Sequence, residues 1–236
     1  MREFLKFFIK NILKNDFTDG ITLKDAPLVN ILVIKKIDYK RYELMINKKK
    51  LICISHKNLE TLKYYWGNIS QDNNKIITLS NLQKIPEILQ NDNFTFFNIK
   101  IDTIADIIDV DDCKQKFLKF LNTKKNLFLY NNFIYLLNKN IITIPFIIDN
   151  EKIFSQFKII QNKHLNKKIV IYYFAFKNFG PFEGSFEEKN GKIKIFTGYK
   201  NNLKKIDTQF DDFDFNIKNQ IKPMREIGNF VLDIKG

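Results

Sequence analysis

Hydrophobic positions along this chain change period from one segment to the next. The spacing is helical at the N-terminus and strand-like through much of the second half. Over residues 1–14, Phe4, Leu5, Phe8, Ile9 and Ile12 share one face, while Arg2, Lys6, Lys10 and Lys14 recur every four residues on another. An amphipathic helix is expected there, ended by Asn15-Asp16 and Asp19-Gly20. Its apolar face is expected to dock on the core, and its four cations form a candidate interaction surface.

Residues 28–34 are almost continuously apolar and predict a buried strand. Tyr42–Ile46 and Leu51–Ser55 flank Asn47-Lys48-Lys49-Lys50, the pattern of a hairpin with a polar loop. Leu59, Leu62 and Trp66 stand at helical spacing before Gly67 and predict a short helix. A strand over 76–79 leads into Ser80-Asn81-Leu82-Gln83, a capping-box pattern, although Pro86 allows the helix to begin near Ile85 instead. Residues 94–101 resemble a strand, and Asp111-Asp112 opens a further expected helix.

In the second half, residues 127–130, 133–137 and 141–148 are separated by Asn-rich turns and predict a three-stranded meander, with Pro145 placing its last strand at an edge. Ile153, Phe154, Phe157 and Ile160 follow a helical period behind Asn150 as the expected cap. Residues 169–176 read as a strand, and Asn190-Gly191 between two alternating segments is the strongest hairpin signal. A strand over 230–234 is expected to close the sheet. The expected fold is a single α+β domain over 1–236, largely antiparallel meander and hairpins with several short helices. Any subdivision falls near 122–126 or 149–150.

Composition changes how the charge is weighed. The chain carries a formal +13, yet only three of its 39 basic residues are arginine, and alanine also occurs only three times. Lysine, asparagine, isoleucine and phenylalanine dominate, as an AT-rich genome would produce. Lysine is a flexible point charge, whereas arginine carries the planar fork that reads guanine edges, so sequence-specific DNA reading is disfavoured. Cys53 and Cys113 are far apart and lack a CxxC partner, so neither a zinc site nor a secreted disulfide framework is indicated. No apolar run is long enough to cross a bilayer, and no secretory signal pattern is present; the expected location is the cytoplasm or an organelle interior.

The candidate chemistry is thin. Asp102, Asp106, Asp109, Asp111 and Asp112 gather the oxygen ligands a hard cation takes, but the calcium-loop template fails for want of its glycine and terminal glutamate. Helix capping accounts for these aspartates better. Asp207, Asp211, Asp212 and Asp214 alternate with Phe210, Phe213 and Phe215, the pattern of a half-buried strand with an acidic face. His56 and His164 stand alone. Residues 179–184 carry two glycines without the Walker or dinucleotide pattern, so a tight turn is expected. Glu187-Glu188-Lys189 is an isolated fragment of a nuclease-like pattern. Tyr64, Tyr65, Trp66, Tyr172, Tyr173 and Tyr199 lie near lysines and could stack bases, with core filling as the competing role.

These features predict a non-enzymatic binding protein of the immunity or antagonist type, needing no cofactor. Its basic surface would engage an acidic protein partner. An RNA- or ribonucleoprotein-associated role is the alternative, and a metal-dependent enzyme using an aspartate cluster comes third.

Overall fold

The computed structural model describes residue 9 and residues 28–71, 76–90, 96–98, 141–162, 167–187, 193–199 and 213–225. These residues are nearly all strand, which corrects the expected α+β class: no helix of seven or more residues occurs among them. Ile9 is helical and fully buried, but the rest of the expected N-terminal helix lies outside the described residues. The expected strands at 127–130, 133–137 and 230–234 and the helix after Asp111 lie outside them too.

The first five strands close into a barrel in the order β1-β2-β3-β5-β4. They are β1 (Leu28–Lys36), β2 (Arg41–Ile46), β3 (Lys49–Ile54), β4 (Tyr64–Gln71) and β5 (Ile77–Lys84). All neighbours are antiparallel except β3 and β5, which meet in parallel at Ile54 and Thr78. Alternation sends Ile31, Val33, Tyr42, Leu44, Ile46, Tyr65, Ile69 and Leu79 inward, and Leu59 joins this interior from the β3–β4 connection. The hairpin expected after Tyr42 is present, with its loop shortened to Asn47-Lys48. Both residues have positive φ (47° and 65°), as a type I′ turn requires.

The helix expected from Leu59, Leu62 and Trp66 is absent, with Leu59 and Leu62 in the β3–β4 connection, and the capping-box start of the next one is strand. Trp66 and Gly67 lie in β4, and Ser80–Gln83 belongs to β5. A Cβ on Gly67 would sit 2.7 Å from Leu82 Cδ2 and 2.9 Å from Ile31 Cδ1, so glycine admits the β1 and β5 side chains at this register shift. One helical turn, Glu87–Gln90, follows Pro86 and agrees with the later of the two expected helix starts.

A seven-stranded sheet follows in the order β12-β11-β10-β9-β8-β7-β6. Its strands are β6 (Phe97–Asn98), β7 (Ile141–Ile148), β8 (Glu151–Asn162), β9 (Lys167–Phe176), β10 (Gly180–Glu187), β11 (Ile193–Thr197) and β12 (Phe213–Ile217). The outermost pairs, β6–β7 and β11–β12, are parallel and the rest antiparallel. β8 overturns the helix expected from Ile153, Phe154, Phe157 and Ile160. Instead of capping a helix, Asn150 (φ 63°) forms a two-residue turn with Asp149 (φ 49°) between β7 and β8. Pro145 lies opposite Phe154, and β6 pairs with the next residues, Phe146 and Ile147, so the edge position expected for this strand is corrected: β6 lies outside it.

One face of the sheet packs on the barrel. Phe154, Tyr173, Ala175, Tyr199 and Ile221 meet Leu28, Trp66, Ile85, Ile88 and Leu89 in a single buried cluster. Directed bonds cross the same seam. Trp66 Nε1 donates to the Lys177 carbonyl at 2.9 Å, Tyr199 donates to the Asn81 carbonyl at 3.0 Å, and Asn30 Nδ2 donates to Asn178 Oδ1 at 3.1 Å. Asn178 is itself held by Glu151, whose two oxygens accept its backbone N–H at 2.9 Å and its Nδ2 at 2.8 Å. The opposite face carries Phe157, Tyr172, Phe174, Phe176 and Phe182, all buried, with Phe157–Phe174 and Phe176–Phe182 edge to face at 5.4 and 5.7 Å.

Gly184 lies beneath the Tyr172 ring, whose hydroxyl donates to the Lys194 carbonyl at 2.7 Å. A Cβ there would stand 1.9 Å from that carbonyl oxygen, so Gly184→Ala is expected to destabilise the fold by about 3 kcal/mol or more, read as a lowered denaturant midpoint. Burial pushes the Glu151 carboxyl above the usual range, opposed by the Asn178 hydrogen bonds and by Lys177. The folded chain then holds this proton at pH values where the unfolded chain has lost it. Its contribution is fully present below the ordinary glutamate value near 4.5 and is lost as pH rises through the folded value. In denaturant titrations across that window, Glu151→Gln should lack this decline; parallel wild-type and variant profiles would contradict it.

Candidate interaction face

The seam divides the outside of the barrel in two. The side formed by β4, β5 and the start of β1 is covered by the sheet, whereas the sheet leaves the outer face running from β1 across β2 to β3 open among the described residues. Register fixes what this face presents. Tyr64, Leu32, Met45 and Lys50 form one row across β4, β1, β2 and β3, and Lys35, Glu43 and Ile52 form the next. None of the seven is buried, and Ile52 is 60% exposed.

A short polar turn shapes one end of the face. Asp38 accepts the backbone N–H groups of Lys40 and Arg41 at 3.1 and 2.9 Å and the Arg41 side chain at 2.5 Å. The Arg41 and Lys40 hydrogen bonds hold its carboxyl below the usual range. Ile37 N–H donates to the Arg41 carbonyl at 2.9 Å and closes the loop. Tyr39 is left at its tip, 81% exposed, with Lys40 Nζ 5.5 Å from its ring centre. At the other end, the type I′ turn carries Asn47, Lys48 and Lys49, all exposed. Lys48 and Lys49 have no acidic partner among the described residues.

Between these ends lies an internal charge balance. Glu43 receives Lys35 Nζ at 3.0 Å and Lys50 Nζ at 3.7 Å, and the Lys35 hydrogen bond leads the effects that hold its carboxyl below the usual range. Arg41 is likewise committed to Asp38, so the cations of this face that lack an acidic partner among the described residues stand at its two ends. Beside this paired trio the centre is apolar, with Leu32, Met45 and Ile52.

Most of the residues singled out from the sequence fall elsewhere. Arg2, Lys6, Lys10 and Lys14, the aspartates from 102 to 112, Asp207, Asp211, Asp212, His164 and Cys113 lie outside the described residues. Asp214 is exposed on β12, as the Asp–Phe alternation predicts, and accepts Asn216 Nδ2 at 2.6 Å. His56 is exposed in the turn after β3. Tyr65, Trp66, Tyr172, Tyr173 and Tyr199 are core, and of that set Tyr64 alone reaches the surface. Residues 179–182 are buried, with the tight turn just ahead at 177–179 and Gly180 at φ 81°. Cys53 is buried and burial pushes its thiol up to about 11, which removes thiolate chemistry at neutral pH. Among the described residues, no three His, Cys, Asp or Glu side chains gather as a metal site, and no helix is long and apolar enough to cross a membrane.

Ile52 and Glu43 were missed because only strand register unites them, and Tyr39 because its exposure depends on the Asp38 turn. Comparison of the chain with protein-family models, with curated proteins and with solved structures returns no match.

Tyr39 and Ile52 are exposed side chains outside the packed core. Tyr39→Ala and Ile52→Ser should each change the unfolding free energy by less than about 0.5 kcal/mol. Leu44→Ala, inside the same β2, should cost about 2–5 kcal/mol in the same denaturant titration.

Proposed function

We propose that the chain is a non-enzymatic binding module that holds single-stranded nucleic acid on the open face of its barrel. The observation that carries this reading is the face itself: an apolar centre of Leu32, Met45 and Ile52 between lysine-bearing ends, left uncovered by the second sheet. Unpaired bases are flat and largely apolar, and they settle on such a centre while phosphates seek the cations around it. Tyr39, projecting beside Lys40, offers a stacking platform where a strand would enter.

The charge admits two ligand classes, an acidic protein surface and a nucleic acid. Connectivity favours the second. A five-stranded Greek-key barrel of this order is the OB-type architecture, whose β2–β3 face and β1–β2 and β4–β5 loops take oligonucleotides or oligosaccharides. Such a likeness supplies a starting expectation only, and the weight rests on the side chains. With lysines rather than free arginine forks, the ligand would be gripped without reading its sequence.

The test is fluorescence anisotropy of the full chain with a labelled homopolymer of about 15 nucleotides, within the span that one barrel of this kind covers. With three or four phosphate contacts, log K should fall with log salt at a slope of about −2 to −3. Lys48→Ala with Lys49→Ala should reduce that slope by about 1.4, and Tyr39→Ala should weaken binding by about 1–3 kcal/mol. No binding at low salt, or tighter binding of poly-glutamate than of the oligonucleotide, would refute the reading.

A further inference from the structure

We infer that Glu43 sets the specificity of this face, admitting bases to its centre and turning a phosphate backbone away. The inference rests on the nucleic-acid reading above and assigns a role to a residue that a simple basic patch would not contain. Glu43 occupies the middle of β2, opposite Ile52 on β3 and opposite Lys35 on β1. Its two oxygens face Lys35 at 3.0 Å and Lys50 at 3.7 Å, and its side chain is 19% exposed while theirs are 64% and 66%.

Two lysines that could clamp a phosphate are therefore already neutralised in part by a carboxylate fixed between them. A phosphate entering the centre would lie close to a like charge and would have to displace Glu43 from both partners. A base meets no such repulsion. It is uncharged, it covers Leu32, Met45 and Ile52, and its amino groups can donate to Glu43. The cations without an acidic partner among the described residues stand at the ends instead, Lys48 and Lys49 at the β2–β3 turn and Lys40 in the β1–β2 loop, separated by the six residues of β2, about 20 Å. A strand can satisfy both demands by lying bases inward with its backbone running along this rim. A duplex cannot, because its bases are paired and it presents phosphates to whatever it meets.

The experiment compares single-stranded and duplex oligonucleotides of the same length against wild type, Glu43→Gln and Glu43→Asp by anisotropy, with thermal melts as a folding control. Wild type should prefer the single strand. Glu43→Gln, which keeps the shape and removes the charge, should tighten duplex binding about tenfold and single-strand binding about threefold or less. Its duplex salt slope should steepen by about 1–2, as Lys35 and Lys50 become free for phosphates. Glu43→Asp should keep the wild-type preference. If Glu43→Gln melts normally and leaves the ratio of duplex to single-strand affinity unchanged, while Lys48→Ala with Lys49→Ala weakens both, the role of Glu43 is overturned and the binding face stands. If wild type binds neither ligand at low salt, both fall.

Discussion

The seam between barrel and sheet is the contact on which the rest of the molecule depends. A small closed barrel has a narrow interior and a large outer surface, and a second layer is needed to bury more of its apolar residues. Here the sheet does so against β1, β4 and β5, through Leu28 and Trp66 on one side and Phe154 and Tyr173 on the other. Some of the polar groups trapped by this burial find partners across it, although Asn30 Oδ1 and Gln83 Nε2 do not. The Trp66 indole reaches the Lys177 carbonyl, and Glu151 fixes Asn178 so that it can take the Asn30 amide. Buried hydrogen-bonding groups are costly when orphaned, so these bonds set the docking register while apolar burial supplies the driving force.

Because one side of the barrel is committed in this way, the β1–β3 side is the one the sheet leaves uncovered. Its charges are organised rather than merely abundant. Arg41 is spent on shaping the β1–β2 loop with Asp38, and Lys35 and Lys50 converge on Glu43. The net charge of the chain, which genome composition alone could produce, therefore says less than the arrangement of a few side chains set by strand register.

The same distinction explains what the sequence made legible. Turn chemistry was readable: Asn47-Lys48 sits where the polar loop was expected, and the strands beginning at Leu28 and near Ile169 are present. Burial on both faces hid others. β8 is apolar on its two sides near the seam, so Ile153, Phe154, Phe157 and Ile160 coincide with a helical period although the backbone is extended. Trp66 misled in the same way, since Leu59 plugs the barrel and Trp66 fills the seam, two unrelated burials that mimic one helix face. Ser80–Gln83 matched a capping box, but pairing with β4 outweighed local preference there. Glu43 could not have been singled out at all, because its partners lie on two other strands.

Trp66 is the chain's single tryptophan, and it is 1% exposed at the seam, away from the open face. Its emission is thus a native optical gauge of one place only. A ligand resting on Ile52 and Tyr39 would leave the indole's dry surroundings intact and its spectrum blue, whereas parting of barrel from sheet would wet the ring and shift it to the red. Occupancy of the face and integrity of the joint can then be followed separately in one unlabelled sample, by adding ligand in the first case and denaturant in the second.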